Sequence, residues 1–468
     1  MVTEKIKFGT DGWRAIIAQD FTVYNVARVS KGLATWLFQH HEAPVVLIGH
    51  DCRFGGKLFA ETAASVLCAN GVKVLLAEGF VSTPMVSLGV LKMGAQQGVV
   101  ITASHNPPTY NGYKLKGAHG GPTSPKDIAA VEALIPDEVT MPSQSIAHWK
   151  ENGMLQTVAL EDLYIDYLKE KFDFDALSKS PFKMAYDAMY GAGQNVIRRL
   201  LPGAVLVHCD ENPGFRGQAP EPLDKNLREL ATTIANTPEI KIGLATDGDA
   251  DRIGLYDEDG NFVDAHNIIL LLIHYLHKYK GMTGKVVIAF SVTDRVKKLC
   301  EHYNIPVEVT AIGFKYISEI MVHDDVLVGG EESGGIAVKG HIPERDGIYD
   351  GLALYELMTT TGKTLKQLCE EVYEIVGRFV YDRHDLHIEN AKKEAIIKKA
   401  LDGGYDRFGK YGYVRTENID GMKYHLENGG WVMLRASGTE PLLRVYAEGN
   451  SKEETLDILA DVKATILA

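Results

Sequence analysis

Short aliphatic runs without polar alternation, spaced by stretches of helical period, recur along most of this chain and limit what it can fold into. From residue 45 the order is VVLIG, KLFAETAASVLCANG, VKVLLA, TPMVSLGVLKMG and GVVITAS. Apolar runs of this length suit strands buried on both faces, as in a parallel sheet, so the segment reads βαβαβ. The order restarts with FKMAYDAM, GQNVIRRLL, AVLVHC, DKNLRELATTIAN and IKIGLATD, and again with KVVIAFS, TDRVKKLCEHYN, PVEVTAI, KYISEIMVHD and VLVGG. A polar, proline-containing stretch at 135–155 reads as a connector after the first round. Beyond helices near 348–376 the composition changes. RFVYDRHDLHI, a Lys-rich helix at 390–401, the strands KYHLEN, WVMLRAS and LLRVYAEG, and a helix from about 452 read as an α+β unit with an antiparallel sheet. At roughly 100 to 200 residues per domain, 468 residues imply three or four domains. The expected spans are 1–145, 155–255, 256–367 and 375–468.

Charge and cysteine usage exclude several classes of function. The net charge of -13 lacks the clustered basic footprint of a nucleic-acid surface, so an anionic ligand must be caught by a local basic pocket. Cys52, Cys68, Cys209, Cys300 and Cys369 show no CxxC or metal-finger spacing, which argues against a disulfide framework or a zinc site and for a reducing compartment. The start, MVTEKIKFGTDGWR, has no apolar signal region, and the longest aliphatic run, IILLLI at 268–273, stops at His274. A soluble cytoplasmic protein without membrane or nucleic-acid partners is expected, as monomer or homo-oligomer.

Each α/β round ends one strand in a polar, Gly-rich loop: TASHNP, TDGDADR and GGEESGG. Ligands of open α/β sheets bind outside the carboxyl ends of strands, so the three loops are expected to meet at one site. Taken singly, each also has the form of an ordinary strand end. Asp247, Asp249 and Asp251 alternate, and in an extended segment their carboxylates would face one way and converge on a hard cation. Glu258 at the twelfth position suggests an EF-hand, but Arg252 where the turn glycine must be and the strand-like IGLY that follows argue against it. An oxygen-ligand Mg²⁺ site is expected, with Arg252 holding a phosphate on the same ion; an acidic surface turn is the alternative.

In RASGTEPLLR, Arg435, Ser437, Gly438, Thr439 and Arg444 offer hydroxyls, backbone N–H groups and two guanidiniums, the makings of a phosphate cradle, although a plain hairpin turn has the same form. The two acids and hydroxyl of GGEESGG suit a grip on vicinal sugar hydroxyls, or a Gly-rich surface turn. Arg14 in FGTDGWR, Arg53 in GHDCR and Lys114 in NGYK are, singly, the kind of charge that faces solvent. Ser104, in ITASHNPPTYN, belongs to no GxSxG elbow or SxxK pair. In an extended chain Ser104 and His105 would point to opposite faces and could not share a proton as a triad does. One reading is a turn serine. The other, given a cation site and basic clamps, is a phosphate carrier, since phosphoserine adds about -1.5 to -2 charge and an oxygen for a Mg²⁺ shell.

In this order and over the whole chain, TASHNP, DGDADR, GEESGG and RxSGTEPxxR resemble the α-D-phosphohexomutases, the group of phosphoglucomutase, phosphomannomutase and phosphoglucosamine mutase. The resemblance implies an α/β fold of four domains around a central cleft, three related mixed α/β domains and a smaller C-terminal α+β domain. It implies an intramolecular phosphotransferase of the isomerase class with Ser104 as its phosphorylated serine and Asp247, Asp249 and Asp251 as Mg²⁺ ligands beside that phosphate. Glu331 and Ser333 would hold sugar hydroxyls; Arg435, Ser437, Gly438, Thr439 and Arg444 would bind the phosphate that is not reacting. Arg14, Lys114 and Arg252 would surround the phosphoserine, Lys114 as general base and His105 as helper.

By the same resemblance the phosphoserine passes its phosphoryl group to the 6-hydroxyl of glucose 1-phosphate, glucose 1,6-bisphosphate turns over, and the 1-phosphoryl returns to Ser104. The loop GEESGG is closer to phosphoglucomutases than the GEMSGH and GEQSGH of the mannose/glucose and glucosamine enzymes, with Gly335 where those have histidine. Lys315 in GFK, and Arg345 or Asp346 in PERDG, are further expected substrate contacts. Glucose is the expected sugar, with mannose or glucosamine phosphates as alternatives. A sugar phosphatase with the same phosphoserine is a rival enzyme, and a Ca/Mg-binding module without catalysis is the reading from another class.

Overall fold

The computed structural model describes residues 5–9, 11–437 and 441–468. Two compact units divide the chain: Met1–Val286 with Gly313–Cys369, and Val287–Ile312 with Glu370–Ala468.

In the first unit the apolar runs form the expected strands. A six-stranded sheet has the order Trp13–Ile16, Tyr110–Gly117, Gln97–Ile101, Val45–His50, Lys73–Ala77, Leu155–Val158. Its last four strands run parallel, while Tyr110–Gly117 is antiparallel to both of its neighbours. Both faces of the central strands are covered. Val46 and Ile48 enter the core with the helices Val23–His40 and Gly56–Ala69, where full burial of each aliphatic side chain contributes about 1.5–3 kcal/mol. Leu47 faces the opposite way, toward the helix Thr83–Met93, where Gly89 lets the backbone in: a Cβ there would lie 2.7 Å from Leu47 Cδ2. The stretch 135–155 is more than a connector. It carries the helix Ile146–Glu151 with buried Trp149, and Leu155–Val158 then extends the first sheet beside Lys73–Ala77.

A second, five-stranded sheet has the order Phe262–Val263, Ile253–Tyr256, Ile240–Thr246, Lys183–Asp187, Val205–Val207. Its last three strands are parallel and its first three antiparallel. Within the same unit Val326–Gly330 pairs antiparallel with Ile336–Val338. Three loops therefore leave the ends of Gln97–Ile101, Ile240–Thr246 and Val326–Gly330.

The second unit holds the expected antiparallel sheet, in the order Val380–His387, Leu442–Gly449, Trp431–Ala436, Met422–Leu426, Tyr411–Glu417, Arg407–Phe408. Strict alternation serves both faces. Val432 and Leu434 pack with Ile396 of the helix Asn390–Leu401 and Ile458 of the helix Lys452–Leu467, while Trp431 and Met433 pack with Phe290. Among the described residues, no helix is long and apolar enough to cross a membrane.

Candidate active site

Ser104 follows the strand Gln97–Ile101 and is 1% exposed, with φ of +52°. A non-glycine residue in that region costs of order 1–3 kcal/mol, so the surroundings must hold it there. Its N–H donates to Thr102 Oγ1 at 2.9 Å, and Thr102 Oγ1 donates to Asp51 Oδ2 at 2.6 Å. The Ser104 hydroxyl is turned to Asp247 Oδ2, 2.6 Å away. The extended backbone expected at Ser104 and His105 is absent, and with it the separation of the two side chains: Oγ lies 3.3 Å from His105 Nδ1. Burial, then Arg252 and Arg14, push the imidazole pKa well down, so it stands neutral.

Asp247, Asp249 and Asp251 are fully buried and can bring ligand oxygens within 4.8 Å of one another. They converge from a turn and not, as alternation suggested, from an extended strand. Ala250 has φ of +57°, and Asp247 Oδ1 accepts the N–H groups of Asp251 and Arg252 at 3.0 and 3.1 Å. The turn rests directly on the serine loop, since a Cβ on Gly248 would lie 2.6 Å from the Ser104 carbonyl oxygen. Burial, then the charges of Asp249 and Asp251, raise the Asp247 pKa well above the carboxylate range. Asp249 is pulled the other way: burial opposes its charge, but Lys114 and Thr83 lower its pKa. Asp249 Oδ1 and Asp251 Oδ1 are buried without a hydrogen-bond partner among the described residues. Crowded carboxylates, oxygen donors only and two orphaned oxygens fit a hard divalent cation such as Mg²⁺.

The cations are not surface charges. Lys114 Nζ is buried and meets Asp11 Oδ2 at 2.8 Å, Asp249 Oδ2 at 2.8 Å and Asp251 Oδ2 at 3.0 Å. Arg345 Nη2 meets the same oxygens of Asp11 and Asp251, at 2.6 and 2.7 Å. Lys114, Asp251, Arg345 and Asp11 thus close a ring of alternating charge. Burial opposes the Lys114 ammonium, but the three carboxylates raise its pKa, so it keeps its proton in this arrangement. Arg14 Nη1 donates to Asn106 Oδ1 at 2.7 Å, and Arg252 lies 3.6 Å from Glu221 with its Nε buried and without a hydrogen-bond partner among the described residues. Arg53 is 3% exposed.

In the third loop Glu331 N–H donates to Gly335 O at 3.0 Å, and Ile253 N–H donates to Gly334 O at 3.0 Å, which docks the loop on the strand that follows the aspartates. Burial pushes the Glu331 carboxyl up to about 7, with Arg345 Nη1 at 4.0 Å as its counter-ion. Ser333 is half-buried. Lys315, also half-buried, borders a cavity of about 170 Å³ together with Asp11 and Glu132, and is not drawn into the ring. Asp346 is taken up elsewhere: it caps the helix Gly347–Thr361 and accepts the Tyr164 hydroxyl at 2.8 Å. Asp11, Thr83, Asp51 and Glu344 escaped the sequence reading. Asp11, Asp51 and Glu344 stand inside the quoted FGTDGWR, GHDCR and PERDG, but in each the basic residue drew the attention.

In the second unit, register sets Arg435 directly opposite Arg444. Like charges in that relation destabilise a sheet unless an acid or anion lies between them, and Asp420 Oδ1 takes the Arg435 Nε at 3.1 Å. Ser437 N–H donates to Leu442 O at 2.9 Å, and the buried Lys393 Nζ donates to Ser437 O at 3.0 Å. Gly438 and Thr439 lie outside the described residues.

Four family models match the chain in sequence: phosphoglucomutase/phosphomannomutase, alpha/beta/alpha domain I over residues 5–140, domain II over 162–260, domain III over 264–376, and the C-terminal domain over 388–465. A "Phosphoglucomutase/phosphomannomutase" of Thermococcus kodakarensis is 29% identical over 457 residues, 97% of this chain and 96% of its own. A "Probable phosphoglucosamine mutase" of Methanosphaera stadtmanae is 30% identical over 451 residues, 95% of each chain. The crystal structure of a "putative phosphomannomutase" from Thermus thermophilus superposes with a TM-score of 0.87 at 33% identity, covering 100% of both chains.

Proposed function

Because this chain belongs to the phosphoglucomutase/phosphomannomutase family, phosphotransferases of the isomerase class, we propose that it interconverts glucose 1-phosphate and glucose 6-phosphate through a phosphoserine at Ser104. One observation carries this reading: the Ser104 hydroxyl, buried and strained, lies 2.6 Å from an aspartate of a three-carboxylate cluster. Asp247, Asp249 and Asp251 would hold Mg²⁺, which when bound neutralises phosphate oxygens.

The sugar 6-hydroxyl forms a new P–O bond as the Oγ–P bond of phosphoserine breaks, leaving glucose 1,6-bisphosphate. After the bisphosphate turns over, Oγ takes the 1-phosphoryl group and glucose 6-phosphate leaves. Lys114 and Arg345, fixed among carboxylates, balance charge, while His105, 3.3 Å from Oγ, is placed to exchange a proton with it. Arg14 and Arg252 flank the phosphoryl group. Glu331 and Ser333 hold sugar hydroxyls, with Lys315 as a further contact. Arg435, Ser437, Gly438, Thr439 and Arg444 bind the distal phosphate.

Glucose is favoured by the third loop. A Cβ on Gly335 would lie 2.4 Å from Arg345 Cδ, so Arg345 occupies the space a histidine there would need. The phosphoglucosamine mutase among the relatives supports glucosamine phosphate as the second reading. Rates with glucose, mannose and glucosamine 1-phosphates, each primed with a trace of its 1,6-bisphosphate, test the choice. Glucose should lead; a tenfold lead for glucosamine would overturn the sugar, and release of mostly inorganic phosphate would overturn the mutase reaction.

A further inference from the structure

We infer that Arg53 is a positioning residue for phosphoryl transfer, holding the 104–110 loop so that Ser104 presents Oγ to the aspartates. The inference rests on the phosphoserine reading above. The loop, SHNPPTY, has few donors of its own: Pro107 and Pro108 have no N–H, and the bond made inside it is that of Tyr110 N–H to Pro107 O at 3.0 Å. Arg53 supplies the donors from outside the loop. Its Nη2 donates to Ser104 O at 2.5 Å and Asn106 O at 2.6 Å, and its Nη1 to Pro107 O at 2.9 Å and Tyr110 O at 3.1 Å.

The guanidinium is itself held. Its Nε lies 3.3 Å from Asp51 Oδ2, the oxygen that accepts the Thr102 hydroxyl, and Thr102 in turn receives the Ser104 N–H. The Phe215 ring, 2% exposed, covers the cation with its centroid 5.0 Å from Cζ. The Ser104 backbone is thus gripped at its N–H through Thr102 and at its carbonyl by Arg53. With both ends fixed at φ of +52°, the side chain is directed at Asp247. The same cation stands behind the residue that would carry a dianion. Lysine cannot replace it, because a point charge does not span four carbonyls as the planar fork does.

The test compares wild type with Arg53→Lys, Arg53→Met and Arg53→Gly. Each is assayed for steady-state turnover of glucose 1-phosphate and, by intact mass, for Ser104 phosphorylation during one exposure to glucose 1,6-bisphosphate. Expected are a fall in kcat of at least about a hundredfold with KM within about threefold, slowed phosphorylation, and at least tenfold recovery of Arg53→Gly in millimolar guanidinium that leaves wild type unchanged. Arg53→Lys, which keeps the charge and most of the volume, carries the test if the smaller side chains do not fold; a kcat within threefold of wild type in that variant overturns the inference. So does a folded Arg53→Met with wild-type phosphorylation. An inactive wild type that takes no phosphate on Ser104 would instead remove the phosphoserine reading, and the inference with it.

Discussion

The Ser104 loop and the Arg435–Arg444 loop each place a buried cation on the carbonyl of their serine, Arg53 in one case and Lys393 in the other, and beyond that they differ in kind. Arg53 spans four carbonyls with a rigid fork, and its serine is held in a strained backbone with the hydroxyl pinned to Asp247. Lys393 brings a point charge on a flexible stem, beside two arginines that register holds face to face. The difference suits the two tasks proposed for these loops. A nucleophile must be fixed in position at one atom, whereas a clamp that takes the phosphate of either isomer needs net positive charge and tolerance of pose.

If that contrast is right, removing Oγ should have the largest effect. Ser104→Ala should lower turnover by at least about a thousandfold and end phosphorylation by the bisphosphate, with thermal unfolding little changed. Residual turnover above a tenth of wild type would break the comparison at its fixed end.

Chelation comes next. It should abolish turnover, with Mg²⁺ restoring it, and Mg²⁺ at about 100 times its Kd should stabilise wild type by about 2.7 kcal/mol in thermal unfolding while leaving Asp249→Asn unmoved. Equal stabilisation of both would place the cation elsewhere.

At the tolerant end, Arg435→Ala should raise KM for the 1- and 6-phosphates alike, by about ten- to a hundredfold, through loss of charge-assisted bonds of about 1.5–3 kcal/mol. A loss confined to one isomer would show that the clamp does not serve both. Lys393→Met should cost about 1–3 kcal/mol of stability in urea unfolding and affect KM more than kcat, the reverse of what Arg53 substitutions should do.

The effect least tied to turnover concerns Glu331. Its carboxyl rises from an ordinary 4.5 to about 7, so the folded state binds the proton more tightly than the unfolded chain. That stability is present in full below about pH 4.5 and is lost as pH climbs through about 7, at most about 3 kcal/mol across the window. Glu331→Gln should flatten the dependence in a pH series of unfolding midpoints; an unchanged slope would assign it to another group.

The strands, the helix at 390–401 and the three loops at strand ends were legible because burial on two faces and helical period are local properties of a sequence. The helix within 135–155 was not legible, because its polar and proline residues outweigh Trp149, which is buried in a core shared with the helix Gly56–Ala69, far away in the chain. The charge ring was invisible for the same reason in stronger form: Asp11 and Arg345 are 334 positions apart, and neither carries a mark of its partner. Left-handed backbone at Ser104 and Ala250 has no signature at all in residues that are not glycine. Alternation therefore grouped three acids that do converge, but through a geometry, the extended strand, that they do not adopt.

Gly248 gives two distant stretches of chain a shared fate. One methyl group at that position would drive a wedge between the aspartate turn and the Ser104 carbonyl, with 2.6 Å where a carbon and an oxygen need more than 3 Å. A single added carbon, itself uncharged, would be enough to part the Ser104 hydroxyl from Asp247.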